Sequence, residues 1–228
     1  MKLYTCYTPS HYTLYSEYFL KSLNNLTNIE LIAKELVQES ETGDFLSTGF
    51  FNTMVKKVEL IISACRENPN QLFIYADCDI QFFGDIVEPL TFELGDFDIA
   101  CQNDVAQFRD RLTYCAGFFI CRANDRVLNM FTEILKEMQL VNPLEYTDQN
   151  VLNEKLDMCS HKLLSNQFYT VAQSTNTVWN GQADFTIPNN LLMHHANWTV
   201  GVANKLKLLE SVKEKYLILN SCNLQLDM

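Results

Sequence analysis

Two rhythms of apolar and polar residues alternate along the chain. Short unbroken apolar runs read as strands buried on both faces, and apolar residues recurring every three or four positions read as helices packed by one face. The clearest run is Leu72-Phe73-Ile74-Tyr75-Ala76, which is too short for a helix and ends where Asp77 and Asp79 begin. A doubly buried strand does not carry charged groups in its middle. Residues 2–7 form a similar first strand, and an apolar segment opens residues 29–37. Further strands are expected over 98–101, 112–122 and 191–195.

Helices fall between them. Tyr15, Tyr18, Phe19 and Leu23 share one face of a helix expected over 14–26. A polar loop holds Glu39, Ser40, Glu41, Thr42 and Gly43. Ser47 or Thr48 then caps a helix over 50–66, which Asn68-Pro69-Asn70 stops. Asn124 or Asp125 caps a helix reaching about residue 140, and Thr147 caps one over 148–156. Residues 166–190 read as polar and loop-rich, and a last helix is expected over 201–216. Strand and helix in alternation predict the α/β class.

With 228 residues, 47% of them hydrophobic and 20% charged, the chain suits a single globular domain. Its net charge of -11 disfavours nucleic acid and anionic membrane surfaces as partners. No apolar run approaches the ~20 residues of a transmembrane segment. The start reaches the polar Thr8-Pro9-Ser10 too soon for a signal peptide, so a cytoplasmic location is expected. The 8 cysteines include no C-x-x-C pair, which argues against a zinc ribbon and for free thiols. With 7 glycines there is no Gly-rich phosphate cradle.

Ligands of open α/β sheets bind beyond the carboxyl ends of strands. Asp77 and Asp79 at such an edge form a hard oxygen site suited to Mg²⁺ or Mn²⁺ with a substrate diphosphate. Equally, they cap the next turn or pair with surface cations. A second cluster is His194-His195, followed by Gly201 and Lys205. A helix start near Gly201 offers free N–H groups to a phosphate, and Lys205 lies about one turn further. The plain alternative makes these strand-end residues and a solvated charge. Alternation sends His194 and His195 to opposite faces, so only one reaches a given metal.

Taken together and in order, these segments resemble the nucleotide-diphospho-sugar glycosyltransferases of the GT-A fold. The likeness is to the group related to plant cell-wall xylosyl- and galactosyltransferases, and more distantly to retaining bacterial galactosyltransferases and glycogenin. Lys57 looks like the helix lysine before the D-x-D strand, and residues 72–79 like that strand. Tyr114-Cys115-Ala116-Gly117-Phe118-Phe119 looks like the segment under the donor sugar, with Tyr114 or Cys115 where relatives have Asn. Tyr146-Thr147-Asp148-Gln149-Asn150 looks like the Asp-Gln motif, and the stretch from His195 to Lys205 like the metal and diphosphate motif.

The resemblance implies a single GT-A domain over 1–228, Rossmann-like, with a mostly parallel central sheet flanked by helices. Its nucleotide-binding part would span about 1–101 and its donor-sugar and acceptor part about 102–228. It implies a glycosyltransferase that takes a UDP-sugar donor to a saccharide or other hydroxyl acceptor with retention of configuration. Asp77, Asp79 and His195 would hold Mn²⁺ or Mg²⁺. Thr5, Tyr7 and Thr8 would meet the nucleoside, with Lys57, Tyr75, Ala76 and Cys78 nearby. Ala116 and Gly117 would lie under the donor sugar, and Gly201 and Lys205 at the diphosphate. Asp148 would bond a sugar hydroxyl, and the Gln149 carbonyl would face the anomeric carbon; helix capping is the alternative for Asp148. Asp104, Arg109, Asp110 and Arg111 form a charged loop that reads first as solvated; by the resemblance, Asn103 and Asp104 would touch the sugar. Trp179 and Trp198 would line an acceptor groove or pack in the core.

Other functions predict different residues. A sugar-1-phosphate nucleotidyltransferase wants a Gly-rich loop with Arg or Lys after its first strand, and residues 5–13 have none of these. A phosphatase with an Asp nucleophile carries its D-x-D near the start, with Thr or Val soon after. A carbohydrate-binding module needs neither the paired carboxylates nor Lys205.

Overall fold

The computed structural model describes residues 1–40, 49–104, 113–140, 147–175 and 177–226. The expected caps Ser47 and Thr48, the loop residues Glu41, Thr42 and Gly43, the charged residues Arg109, Asp110 and Arg111, the strand start Leu112, and Tyr146 lie outside them.

A six-stranded sheet in the order β2-β1-β3-β6-β5-β7 forms the centre. Its strands are β1 (Lys2–Tyr7), β2 (Glu30–Glu35), β3 (Leu72–Ala76), β5 (Ile99–Asn103), β6 (Tyr114–Arg122) and β7 (His161–Leu163). β6 runs antiparallel to both neighbours, and the other pairings are parallel. This is the mostly parallel α/β sheet that the sequence predicts. A three-stranded sheet, β4-β9-β8, sits beside it, made of β4 (Ile80–Phe82), β8 (Phe168–Thr170) and β9 (Met193–His195).

The alternation of β3 builds the core on both faces. Phe73 and Tyr75 pack with Tyr4, Phe119, Phe131 and the inner faces of α2 (Phe50–Glu67) and α4 (Asp125–Met138). Ile74 and Ala76 point the other way, to Phe118, Phe82, Phe168 and α3 (Val87–Leu94). A third cluster joins Tyr169, Trp179 and Phe185 to Leu208, Leu209 and Val212 of α7 (Val202–Leu226).

Helix ends follow local chemistry. Asn124 caps α4 by accepting from Val127 N at 3.0 Å. Thr147 and Asn150 form a capping box at α5 (Asp148–Lys155). At α2 the cap position is Gly49.

Four expectations shift. The first helix begins earlier, as α1 (Tyr12–Leu14), and passes into a π-helical segment, Tyr15–Leu20. The strand expected over 29–37 is confined to an exposed edge at Glu30–Glu35. The loop-rich stretch after 166 contains β8 and the short α6 (Ala172–Thr175), and α7 continues past residue 216. β4, β7 and α3 are additions; β4 and β7 have three residues each, too few for a periodic signal. Among the described residues no helix is long and apolar enough to cross a membrane.

Candidate active site

β3 ends at Ala76, and Asp77 N makes one more bond to the sheet, donating to Gly117 O of β6 at 2.7 Å, before the chain leaves it. The chain turns and re-enters structure as β4, whose Ile80 pairs with His195 of β9. Ala196 N closes the register by donating to Asp79 O at 3.0 Å. Backbone pairing alone therefore sets Asp79 beside His195. His195 Nε2 lies 3.2 Å from Asp79 Oδ1 and 4.0 Å from Asp77 Oδ2. Potential ligand atoms of Asp77, Asp79 and His195 all fall within 4.8 Å of one another. A Cβ built on Gly117 would stand 2.4 Å from Asp77 Oδ2 and 2.5 Å from His195 Cε1, so only glycine leaves this space open. Two carboxylates and an imidazole around such a gap suit a divalent cation.

Each carboxylate also has a lysine. Lys205 Nζ pairs with Asp79 Oδ2 from the first turn of α7. Burial disfavours the Asp79 charge, yet the Lys205 ammonium foremost outweighs it and holds the carboxyl well below its usual range. Lys57 is buried on the inner face of α2, 3.0 Å from Asp77 Oδ1 and 2.9 Å from Asp148 Oδ2. Burial opposes its charge as well, but Asp148 and Asp77 prevail and raise its pKa. Tyr75 OH donates to Asp77 Oδ1 at 2.9 Å from behind.

His194 has the opposite fate. It is fully buried, its ring 5.9 Å from that of Tyr169 and neither nitrogen hydrogen-bonded. Burial, helped by His195, lowers its pKa to about 3.

Asp77, Asp79, His195, Lys57 and Lys205 line a cleft of about 750 Å³, within the ordinary size of ligand pockets. Tyr7, Thr8, Lys57, Cys78, Ala116, Gly117, Asp148, Gln149, Gly201 and Lys205 all face it with the carboxylate–histidine group. Thr5, Tyr75 and Ala76 do not: they are fully buried behind it. They sit inside β1 and β3, whose residues are covered on both faces of the sheet. Tyr7 stacks on Tyr15, with ring centroids 4.1 Å apart. Trp179 lies in the third core cluster, and Trp198 reaches the cleft.

A family profile described as nucleotide-diphospho-sugar transferase matches residues 19–209. The chain belongs to that family. It is thus an enzyme of the glycosyltransferase class. Solved structures share its fold. One is a glycosyltransferase involved in glycosylating the major capsid of PBCV-1, at TM-score 0.61 and 10% identity over 92% of this chain and 98% of the other. Another is the galactosyltransferase LgtC in complex with donor and acceptor sugar analogues, at 0.52 and 13% over 92% and 96%. The apo form of GlyE from Streptococcus pneumoniae TIGR4 aligns at 0.58 and 15%, over 98% of this chain and 63% of GlyE. No curated protein matches.

The transferase cleft joins Asp104, Gln149 and Trp198, each singled out in the sequence, into one network. Asp104 is buried and accepts from Gln149 Nε2, Asn197 Nδ2 and Trp198 Nε1, each at 2.6 Å. Burial still raises its carboxyl above the usual value. Ala116 N donates to Gln149 Oε1 at 3.3 Å, so the Gln149 amide is held at both ends. Trp198 takes a left-handed backbone (φ 52°), rare for a bulky residue and worth a functional question. His11, Gln38 and Thr53, which the sequence did not single out, also line the cleft. Their signal is long-range contact, which no short motif carries.

Proposed function

We propose that this transferase moves a sugar from a UDP-sugar to a hydroxyl of a saccharide or glycan acceptor, with Mn²⁺ or Mg²⁺ and with retention of anomeric configuration. The observation that carries this reading is the convergence of Asp77, Asp79 and His195 beside Lys205 at one cleft. Asp77, Asp79 and His195 hold the cation. When bound, the cation offsets charge growing on the leaving diphosphate.

The chain's own residues do the rest. Lys205 and the Gly201 N–H bind the diphosphate oxygens, and Tyr7 and Thr8 take the nucleoside. Ala116 and Gly117 lie under the sugar. Asp148 accepts from a sugar hydroxyl, and Lys57 fixes it in that role while also bracing Asp77. Gln149 presents its carbonyl oxygen to the anomeric carbon as positive charge develops there. The whole chain acts as one GT-A domain, and its buried free thiols suit the cytoplasm.

Nucleotide release from a panel of nucleotide-sugars, with and without Mn²⁺, tests this. Release of UDP that needs the cation is expected. Full activity in excess EDTA would remove the cation from the account.

A further inference from the structure

β5 pairs regularly with β6 as far as Cys101↔Phe119, and the register then jumps to Asn103↔Tyr114. The ladder is interrupted at Gln102, as happens where a strand re-aims one side chain next to a site. Gln102 is fully buried and leaves the central sheet for the small one. Its Nε2 lies 3.2 Å from Phe168 O and 3.0 Å from Tyr169 O, both on β8. Its Oε1 lies 2.9 Å from His195 Nδ1 on β9.

Those three contacts leave the amide one orientation. A carbonyl oxygen turned toward Phe168 O and Tyr169 O would bring no proton to either, whereas the NH₂ serves both. Oε1 must therefore accept, and His195 Nδ1 must be the ring nitrogen that carries the proton. In a neutral imidazole the lone pair is then on Nε2, the nitrogen that faces Asp79 Oδ1 and Asp77 Oδ2. Cys115 Sγ, 3.7 Å from Nδ1, is the weaker partner, since sulfur is a weak donor and acceptor and Gln102 Oε1 is closer at 2.9 Å.

We infer that Gln102 is a positioning residue that locks His195 in its Nδ1–H tautomer and so presents the Nε2 lone pair to a divalent cation. The first half stands on geometry alone; the second rests on the cation reading given above. Gln102 touches neither donor nor acceptor. Its effect passes through His195, as outer partners of metal-bound imidazoles generally act.

Nitrogen-15 NMR of histidine-labelled, cation-free protein at about pH 8, above the ordinary imidazole range, reads the tautomer, with His195→Ala assigning the signal. The expected result is proton-bearing Nδ1 and bare Nε2. Gln102→Met removes both the amide's donors and the acceptor facing His195, whereas Gln102→Glu keeps an acceptor oxygen for His195. Mn²⁺ affinity, followed by electron paramagnetic resonance of the free ion, should fall ~10-fold or more in Gln102→Met and stay near wild type in Gln102→Glu. Equal losses in both variants would reduce Gln102 to a structural strut, and a proton on Nε2 in the wild type would overturn the inference. If Nδ1 carries the proton but the wild type binds no Mn²⁺ or Mg²⁺, the cation reading falls and the tautomer lock stands.

Discussion

Adjacent histidines with opposite environments give the sharpest residue-scale contrast. His195 Nε2 faces two carboxylates, while His194 is fully buried with neither ring nitrogen hydrogen-bonded. His195→Ala should weaken Mn²⁺ binding ~10-fold or more, whatever the emptied buried site costs in stability. His194→Ala should instead cost about 2 kcal/mol as a buried large-to-small change and leave Mn²⁺ affinity alone; chemical denaturation and Mn²⁺ titration of both variants read the two effects. Lys205 makes a third case. Its ammonium pairs with Asp79 and so opposes a cation held by the same carboxylate. Lys205→Met should therefore tighten Mn²⁺ alone several-fold and weaken UDP in the presence of Mn²⁺. A calorimetric titration showing both ligands weakened together would refute this division of labour.

Elements are tied into position by a buried carboxylate at the start of β5. Asp98 accepts from Arg126 Nε at 2.8 Å, from Asn124 at the α4 cap, and from Ser160 N at 2.9 Å just before β7. Arg126 foremost, against the effect of burial and with help from Ser160 and Asn124, holds its carboxyl below the usual value. A carboxyl depressed in the folded state stabilises fully above the ordinary carboxylate pKa, and that contribution disappears as pH falls through the folded value. Asp98→Asn should cost about 2 kcal/mol near neutrality, less than a fully buried pair because Arg126 is exposed, and the gap to wild type should close below about pH 4. A gap constant to strong acid would assign the effect to packing. Elements with strong local signals were the legible ones. β3 is a pure apolar run that ends at a carboxylate, and α4 and α5 start at side-chain caps. β4 and β7 were not legible, because three residues contain no period and their partners lie far along the chain.

At the scale of the whole molecule, the cleft is where the edge of the central sheet, the small sheet and the start of α7 meet. Its short motifs could be read from the chain: D-x-D, Asp-Gln, and the histidine ten residues before a lysine. The connections among them could not, since Gln102 and His195 are separated by 93 positions and Asp104 and Trp198 by 94. Burial of Thr5, Tyr75 and Ala76 likewise depends on what packs over their strands rather than on their identity. If Gln149 meets the anomeric carbon as proposed, the first-formed product should keep the donor's configuration by NMR coupling constant; inversion would shift attention to a carboxylate base such as Asp148. The central claim is that a cation at Asp77, Asp79 and His195 recruits the donor diphosphate. Isothermal titration of UDP into wild type, Asp77→Asn and Asp79→Asn, each with Mn²⁺ or with EDTA, tests it most directly. The account predicts binding only in wild type with Mn²⁺, from variants whose circular dichroism is unchanged. Equal UDP affinity in EDTA, or in either variant, would contradict it.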